Sequence, residues 1–457
     1  MPPPLDLSAL ARAACPPEGA AILAPGRAID WRTALECTVL AGKRRLLRDK
    51  SVLILVADPF DAALAMLELD GVARRMLVIP PDFSGERLAA AIRQAAIEII
   101  VCDESHRNFD LELPCIVLST PAVETSARGE AIETEWVAPT SGTTGEPKLV
   151  AHRLEGLLGA MQGRPATTPV WGTFYDIRRY GGLQIFLRAA TGDASLTLSD
   201  SNERPADHVA RMAAAGVTHV SGTPSHWRRL LMSGDASRLS PHYVRLSGEI
   251  ADRAILDALA TAYPGAKIVH AYASTEAGVA FEVSDGREGF PASWLERSGS
   301  VEMSVVDGSL RIRSPRTASY YVGRDDLALR DGDGFVDTDD LVERIGDRVF
   351  FRGRRAGTIN VGGLKVHPEE VEQVINLHAA VRASLVKARR NPITGDLIAA
   401  DVVLKEDAAP PERQRMVKDE ILAICRARLE RHKVPAALGF VSALAISPAG
   451  KLLRREA

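Results

Sequence analysis

Short continuous apolar runs alternate with amphipathic stretches through the first two thirds of the chain. Ser51–Ala57 (SVLILVA) is apolar on both faces and predicts a buried strand. Pro59–Leu69 has helical spacing, with Asp58 placed to cap its first turn. Arg75–Ile79 and Ile97–Cys102 predict further strands, separated by the helical pattern of Gly85–Ala96. This βαβ rhythm implies parallel sheet with helices on its faces. It returns between Ala206 and Val269, with strands expected at Val217–Val220, Val244–Leu246 and Lys267–Val269. From Asp307 to Gly334 the texture changes. Turns such as Asp307-Gly308 and Asp331-Gly332-Asp333-Gly334 separate short strands such as Leu310–Arg313, which suits antiparallel hairpins. Phe351–Gly357 is basic, contains glycine and reads as a linker, and an α/β unit of roughly a hundred residues follows it. The expected fold is α/β. A large N-terminal domain (1–352) has parallel or mixed sheets flanked by helices and a small antiparallel β subdomain. A small, mobile α+β domain (353–457) follows.

Composition narrows the choices without deciding among them. At 457 residues the chain is too long for one compact core, so more than one domain is expected. Lys plus Arg number 56 against 59 Asp plus Glu, a net charge of −3, so neither a nucleic-acid footprint nor a polybasic anchor is indicated. The cysteines (Cys15, Cys37, Cys102, Cys115, Cys425) are scattered and lack a C-x-x-C pair. That pattern argues against a disulfide framework or structural zinc, and for a reducing compartment. No run approaches the roughly 18 apolar residues of a membrane span, and the first twenty residues lack a signal-peptide pattern. A soluble cytoplasmic protein is the expectation. There is no repeat and no low-complexity tract.

The strongest chemical signal is Thr140-Ser-Gly-Thr-Thr-Gly-Glu-Pro-Lys148. Thr140, Ser141, Thr143 and Thr144 supply hydroxyl donors. Gly142 and Gly145 let backbone N–H groups approach a polyanion, and Lys148 adds a point charge. Together they make a phosphate cradle. It is not a Walker A loop, which needs G-x-x-x-x-G-K-[ST], because Leu149 follows the lysine.

This loop resembles the signature of the acyl-adenylate-forming superfamily, which includes acyl-CoA synthetases, peptide-synthetase adenylation domains and luciferase. Further motifs follow in the family's order over about Leu23–Arg455. The resemblance implies that the backbone at Gly248-Glu249 packs against adenine. Tyr272-Ala-Ser-Thr-Glu276 is similar to Y-G-x-T-E, which puts the Tyr272 ring on adenine, Thr275 on the α-phosphate and Glu276 on Mg²⁺. Thr338-Asp339-Asp340 aligns with T-G-D and makes Asp340 a ribose acceptor, with Arg354 as a second ribose contact. Gly362-Gly363-Leu364-Lys365 resembles the thiol-tunnel loop, and Gly450-Lys451-Leu-Leu-Arg454 the motif of the catalytic lysine. The cofactors implied are ATP, Mg²⁺ and coenzyme A. Two anions must meet at the α-phosphorus, so catalysis is positioning and charge neutralisation, assigned to Lys451, Glu276 with its metal, and the Thr140–Lys148 loop. The small domain is then expected to rotate about Arg355–Gly357, removing Lys451 and bringing up Gly363.

Several positions depart from the family. Ala356 stands where Asp or Lys is usual at the hinge, and Asn360 where lysine is common. Asp339 and Ala273 replace glycines, and the segment before the signature loop is short. The acyl pocket is expected among Trp171–Gly182, Ser221–Trp227 and His270–Tyr272, with Arg178 and Arg179 read either as pocket groups or as solvated surface. No aspartate matches the one that receives an α-amine, which favours an aryl or aliphatic acid. The acceptor is read as coenzyme A first, with a carrier protein or an amine as alternatives. Lys387, Arg389 and Arg390 are a candidate phosphate or carrier contact, or else a solvated loop. The competing readings are an ADP-forming phosphotransferase and a non-catalytic nucleotide-binding relative.

Overall fold

The computed structural model of the chain describes residues 5–14, 19–106, 112–123, 128–140, 146–161, 168–192, 194–361, 364–391, 395–405, 410–447 and 449–453. Two large sheets form the body. The first runs, edge to edge, through Gly278–Val283, Lys267–Ser274, Tyr243–Ser247, His219–Gly222, Val170–Thr173, Ser195–Thr197, Ala21–Ala24 and Arg27–Asp30. Its inner pairs are parallel and both edge strands are antiparallel. The second runs through Tyr320–Tyr321, Leu149–His152, Glu135–Pro139, Arg75–Val78, Ser51–Leu55, Ile99–Cys102 and Cys115–Val117.

The two sheets share one core. Ile22 and Leu196 from the first sheet and Val52, Ile54, Met76 and Trp136 from the second belong to a single apolar cluster. The helix Pro59–Leu69 lies inside it with nearly every residue buried, as an all-round apolar helix must. Asp58 caps that helix as predicted, accepting from the Phe60 N–H. The strands predicted from apolar runs are all present, with ends shifted by one or two residues, except that the third strand of the second βαβ series runs on from Lys267 to Ser274.

A five-stranded antiparallel sheet (Phe290–Pro291, Arg348–Arg354, Val336–Ile345, Ser309–Arg313, Glu302–Val306) packs around Phe290, Leu310 and Val349, in a cluster that Val150, Ala280 and Val283 of the large sheets join. The segment read as a linker is corrected here: Arg348–Arg354 is strand, and only Arg355–Gly357 leaves it, as a single 3₁₀ turn. The basic residues Arg352 and Arg354 misled the reading, because one is salt-bridged to Glu343 and the other to Asp340 on the neighbouring strand. Beyond it, Pro368–Ile375 and Pro411–Arg428 pack on the three-stranded sheet Val381–Asn391, Gly395–Leu404 and Ala437–Phe440. Val366, Ile375, Val402 and Ile421 form that unit's separate core.

A second correction concerns the cysteines. Cys102 and Cys115 end and begin adjacent parallel strands and are joined by a disulfide, a proximity their spacing of 13 residues does not announce. Cys37 and Cys425 are buried and free, and Cys15 lies outside the described residues. No helix is long and apolar enough to cross a membrane among the described residues.

Candidate active site

The sheet ends assemble one half of a cavity of about 730 Å³. Tyr272 is near the end of the strand Lys267–Ser274, and Thr275 and Glu276 lie just beyond it. Asp340 and Arg354 are directly opposite each other on paired strands, so residues fourteen apart in sequence become neighbours. Asp340 is the hub. It accepts from the Tyr272 hydroxyl at 2.5 Å and from Arg354 Nε at 3.1 Å. Burial, then the Asp340 charge, pushes the Tyr272 phenol well above its ordinary range, so it stays a donor. The Tyr272 ring is near-parallel to Phe351 (8°, centroids 5.1 Å apart) and to Phe281 (19°, 5.5 Å). Asp339 has φ 57°, the left-handed conformation that the family's glycine adopts freely.

Glu276 is half-buried, and desolvation raises its carboxyl above the usual range against the lowering pull of Arg354 and Lys148. Lys148 itself is exposed, with its ammonium 5.8 Å from the Tyr321 ring centroid. It does not line the cavity, whereas Thr140 does. The loop between them is closed at its base by the Thr140 N–H donating to the Lys148 carbonyl at 2.8 Å. Ser141, Gly142, Thr143, Thr144 and Gly145 fall outside the described residues, as do Gly362, Gly363 and Arg454. Among the described residues no cluster of three His, Cys, Asp or Glu side chains is present. A single carboxylate, Glu276, fits a hard cation that takes most of its ligands from phosphate and water.

The other half of the site comes from the far end of the chain. Lys451 lines the same cavity, and its Cε lies 3.5 Å from where a Cβ on Gly248 would sit. Burial, and then Arg354, lowers the Lys451 ammonium below the ordinary lysine value, while Glu249, Asp340 and Glu276 pull it back up. The Glu249 carboxylate accepts from Ser225 N–H (2.9 Å), Ser225 Oγ (3.0 Å) and Leu452 N–H (3.0 Å). Tyr272, Thr275, Glu276, Asp340, Arg354, Gly248, Glu249 and Lys451 thus converge on one cavity.

Thr223, Ser225 and His226 join this site through contacts that the sequence reading did not assign. Thr223 caps the helix Pro224–Ser233, and its hydroxyl donates to the Gly450 carbonyl at 2.6 Å. The Thr-Pro pair is a recognisable helix start, but nothing local in it announces the distant partner. From the C-terminal unit, Asn376 Nδ2 donates to Asp252 (3.1 Å), which also holds Arg228 (2.6 Å). Gly353 (φ 124°) holds a backbone conformation that other residues rarely adopt, and a Cβ there would meet the Glu369 carboxylate.

The acyl-pocket reading is partly corrected. Tyr175, Arg179, Tyr180, Gly181, Ser225, His270 and Ala271 line the cavity. Trp227 is instead core, and His226 packs behind Gly450. Arg178 is neither pocket nor surface: it is fully buried, paired with Asp176 and donating to the Val56 and Ala57 carbonyls. Burying an arginine requires such a complete set of acceptors. Arg179 is ion-paired with Asp82. Lys387, Arg389 and Arg390 lie on a strand rather than a loop, and Lys387 is paired with Asp401 at 2.6 Å.

The family model described as AMP-binding enzyme matches residues 57–322, and that of the AMP-binding enzyme C-terminal domain matches 370–451. A 2-succinylbenzoate–CoA ligase of Geobacillus kaustophilus is 28% identical over 406 residues, covering 82% of this chain and 78% of that protein. Among solved structures, the anthranilate CoA ligase AuaEII in complex with anthranoyl-AMP superposes with a TM-score of 0.81 at 18% identity, covering 99% of this chain and 96% of that one. The amide bond synthetase McbA from Marinactinospora thermotolerans gives 0.77 at 20% identity, covering 98% of each. At these identities the solved structures establish the fold.

Proposed function

The chain belongs to the AMP-binding enzyme family, and we propose that it is an ATP-dependent, AMP-forming carboxylic acid ligase that forms an acyl-adenylate and then acylates a thiol, coenzyme A. The observation that carries this reading is Lys451. A lysine 111 residues after Asp340 in the chain enters the cavity that Asp340, Tyr272 and Glu276 line. A cation brought from a separate unit to a phosphate site suits a reaction that needs it for one step only.

The chemistry follows from charge. A carboxylate resists nucleophiles because its leaving group would be oxide. Its oxygen attacks the α-phosphorus of ATP, the bond from that phosphorus to the pyrophosphate oxygen breaks, and the acyl group gains AMP as leaving group. Asp340 and Arg354 hold the ribose, and Tyr272 with the Gly248-Glu249 backbone bounds the adenine. Thr275 and Lys451 meet the phosphate and carboxylate oxygens, and the Thr140–Lys148 loop, through Ser141, Gly142, Thr143, Thr144 and Gly145, receives the β- and γ-phosphates. Mg²⁺, when bound at Glu276, neutralises phosphate charge. The lid, taken from about residue 353 and carrying Gly363, then turns about Arg355–Gly357 for thiol attack. The acid is one without an α-amine, since Asp176, the nearest candidate partner, is spent on Arg178. A carrier protein as acceptor, or an amine giving an amide, is the second reading.

The test is pyrophosphate exchange into ATP across a panel of aryl and aliphatic acids with magnesium. Acid-dependent exchange is expected, with AMP and a coenzyme A thioester on adding the thiol. Release of ADP, or no exchange with any acid, would sink the reading.

A further inference from the structure

The backbone around Lys451 is held in an unusual way. The peptide groups on either side of the lysine are hooked by side chains of the body. Ahead of it, the Gly450 carbonyl accepts from Thr223 Oγ1 at 2.6 Å. Behind it, the Leu452 N–H donates to Glu249 Oε1 at 3.0 Å. The lysine's own amide groups are satisfied within the tail: its N–H donates to Ser447 Oγ (3.2 Å), and its carbonyl accepts from the Ser447 N–H (2.7 Å).

Both hooks are themselves fixed. Thr223 is fully buried and accepts from the His226 N–H at 3.0 Å, while His226 Nδ1 accepts from the Thr223 N–H at 3.2 Å. This reciprocal pair is a capping box with histidine in the usual glutamate place. Glu249 is tied to Ser225 at the same helix start. Between the hooks, Gly450 (φ 71°) lies flat on the His226 imidazole, which a Cβ there would penetrate.

We infer that Thr223 and Glu249 are positioning residues which clasp the peptide groups flanking Lys451 and so hold the lysine in the cavity during adenylation. The inference rests on the ligase reading above. A hydroxyl and a carboxylate suit a hold that must be released: each gives one hydrogen bond to tail backbone, and water replaces both when the lid turns away. A strand pairing would offer no such release.

Thr223→Asp separates the clasp from the helix cap. Aspartate caps as well as threonine but, being ionised, cannot donate to the Gly450 carbonyl. Gly450→Ala attacks the same clasp from the tail and leaves the helix untouched. Deuterium exchange on the unliganded protein is the first readout. Both variants should speed uptake in the peptide spanning Ala445–Leu453 by about ten-fold, the loss of one buried hydrogen bond, with helix Pro224–Ser233 still protected and Thr223→Ser like wild type. With an acid that supports exchange in the wild type, kcat of exchange should fall about ten- to a hundred-fold. The KM for ATP and acyl transfer from supplied acyl-adenylate should change less than two-fold. Wild-type tail uptake in both variants would overturn the clasp, as would an equal fall in both half-reactions. If the helix loosens in Thr223→Asp, Gly450→Ala decides. Because the uptake measurement needs no substrate, a clasp that fails is distinguished from a ligase reading that fails.

Discussion

Lys148, in the large domain, and Lys451, near the end of the chain, both interact electrostatically with Glu276, and their surroundings differ. Lys148 is exposed and its backbone belongs to the second sheet: its carbonyl is bonded to Thr140, and Leu149 beside it opens a buried strand. Lys451 is half-buried in the cavity, and the backbone on either side of it is held by two side chains of the body. The first lysine is a fixture and the second is on loan. On the proposed mechanism, the charge for phosphate binding is permanent, while the charge for adenylyl transfer to the carboxylate is delivered and withdrawn with the C-terminal unit.

The largest expected effect breaks the comparison at the loaned end. Lys451→Ala should lower acid-dependent pyrophosphate exchange by about 10²–10³ while sparing thioester formation from supplied acyl-adenylate. Equal losses in both would contradict a role confined to adenylation. Lys148→Ala, at the fixed end, should act mainly on the KM for ATP, by about ten-fold, the worth of one charge-assisted contact. A loss confined to kcat would merge the two roles.

Next comes Asp340, the hub of the cavity's sheet side. Asp340→Asn leaves an acceptor for Tyr272 but removes the charge that holds Arg354, and should raise the KM for ATP by about ten-fold. Tyr272→Phe should do less. An order reversed in steady-state kinetics would relocate the ribose contact.

The pH profile sharpens the contrast further. A lowered Lys451 loses its proton at a lower pH than a free lysine, so kcat/KM for exchange should fall on the alkaline side below the ordinary lysine value. The triphosphate favours the charged form, so the limb in kcat should lie higher. Lys451→Arg should remove the limb in both, and a limb that persists in the arginine variant would assign it elsewhere. His226, held down to about 3 by burial, stays neutral throughout and adds nothing to this profile.

The smallest effect is local. Asp339 holds a left-handed backbone. Asp339→Gly should therefore be neutral or stabilising by up to about 1 kcal/mol, read as a shift in thermal midpoint, and a clear destabilisation would show that the Asp339 side chain, 3.8 Å from Arg355, matters more than its conformation.

Much of this was legible in the sequence because it is encoded locally. The βαβ strands are apolar on both faces, and Asp340, Tyr272, Glu276 and Lys451 sit in motifs whose order survives even where single glycines do not. What was not legible depends on tertiary approach. Arg178 looks like any surface arginine until Asp176 and two carbonyls close on it. The Cys102–Cys115 bond needs the sheet to set two strands side by side. The linker reading failed because basic residues in a hairpin and in a loop look alike before their acidic partners are placed. Thr223 announces a helix cap, and only the docked tail reveals its second bond.

Gly353 carries a further consequence. It sits where the chain leaves the body, at φ 124°, and a methyl group there would meet the Glu369 carboxylate. A bulky residue there would strain this backbone and displace the Glu369 side chain, loosening the seam next to Arg354. If the C-terminal unit turns as proposed, such a variant should favour the posture that follows departure of the lysine.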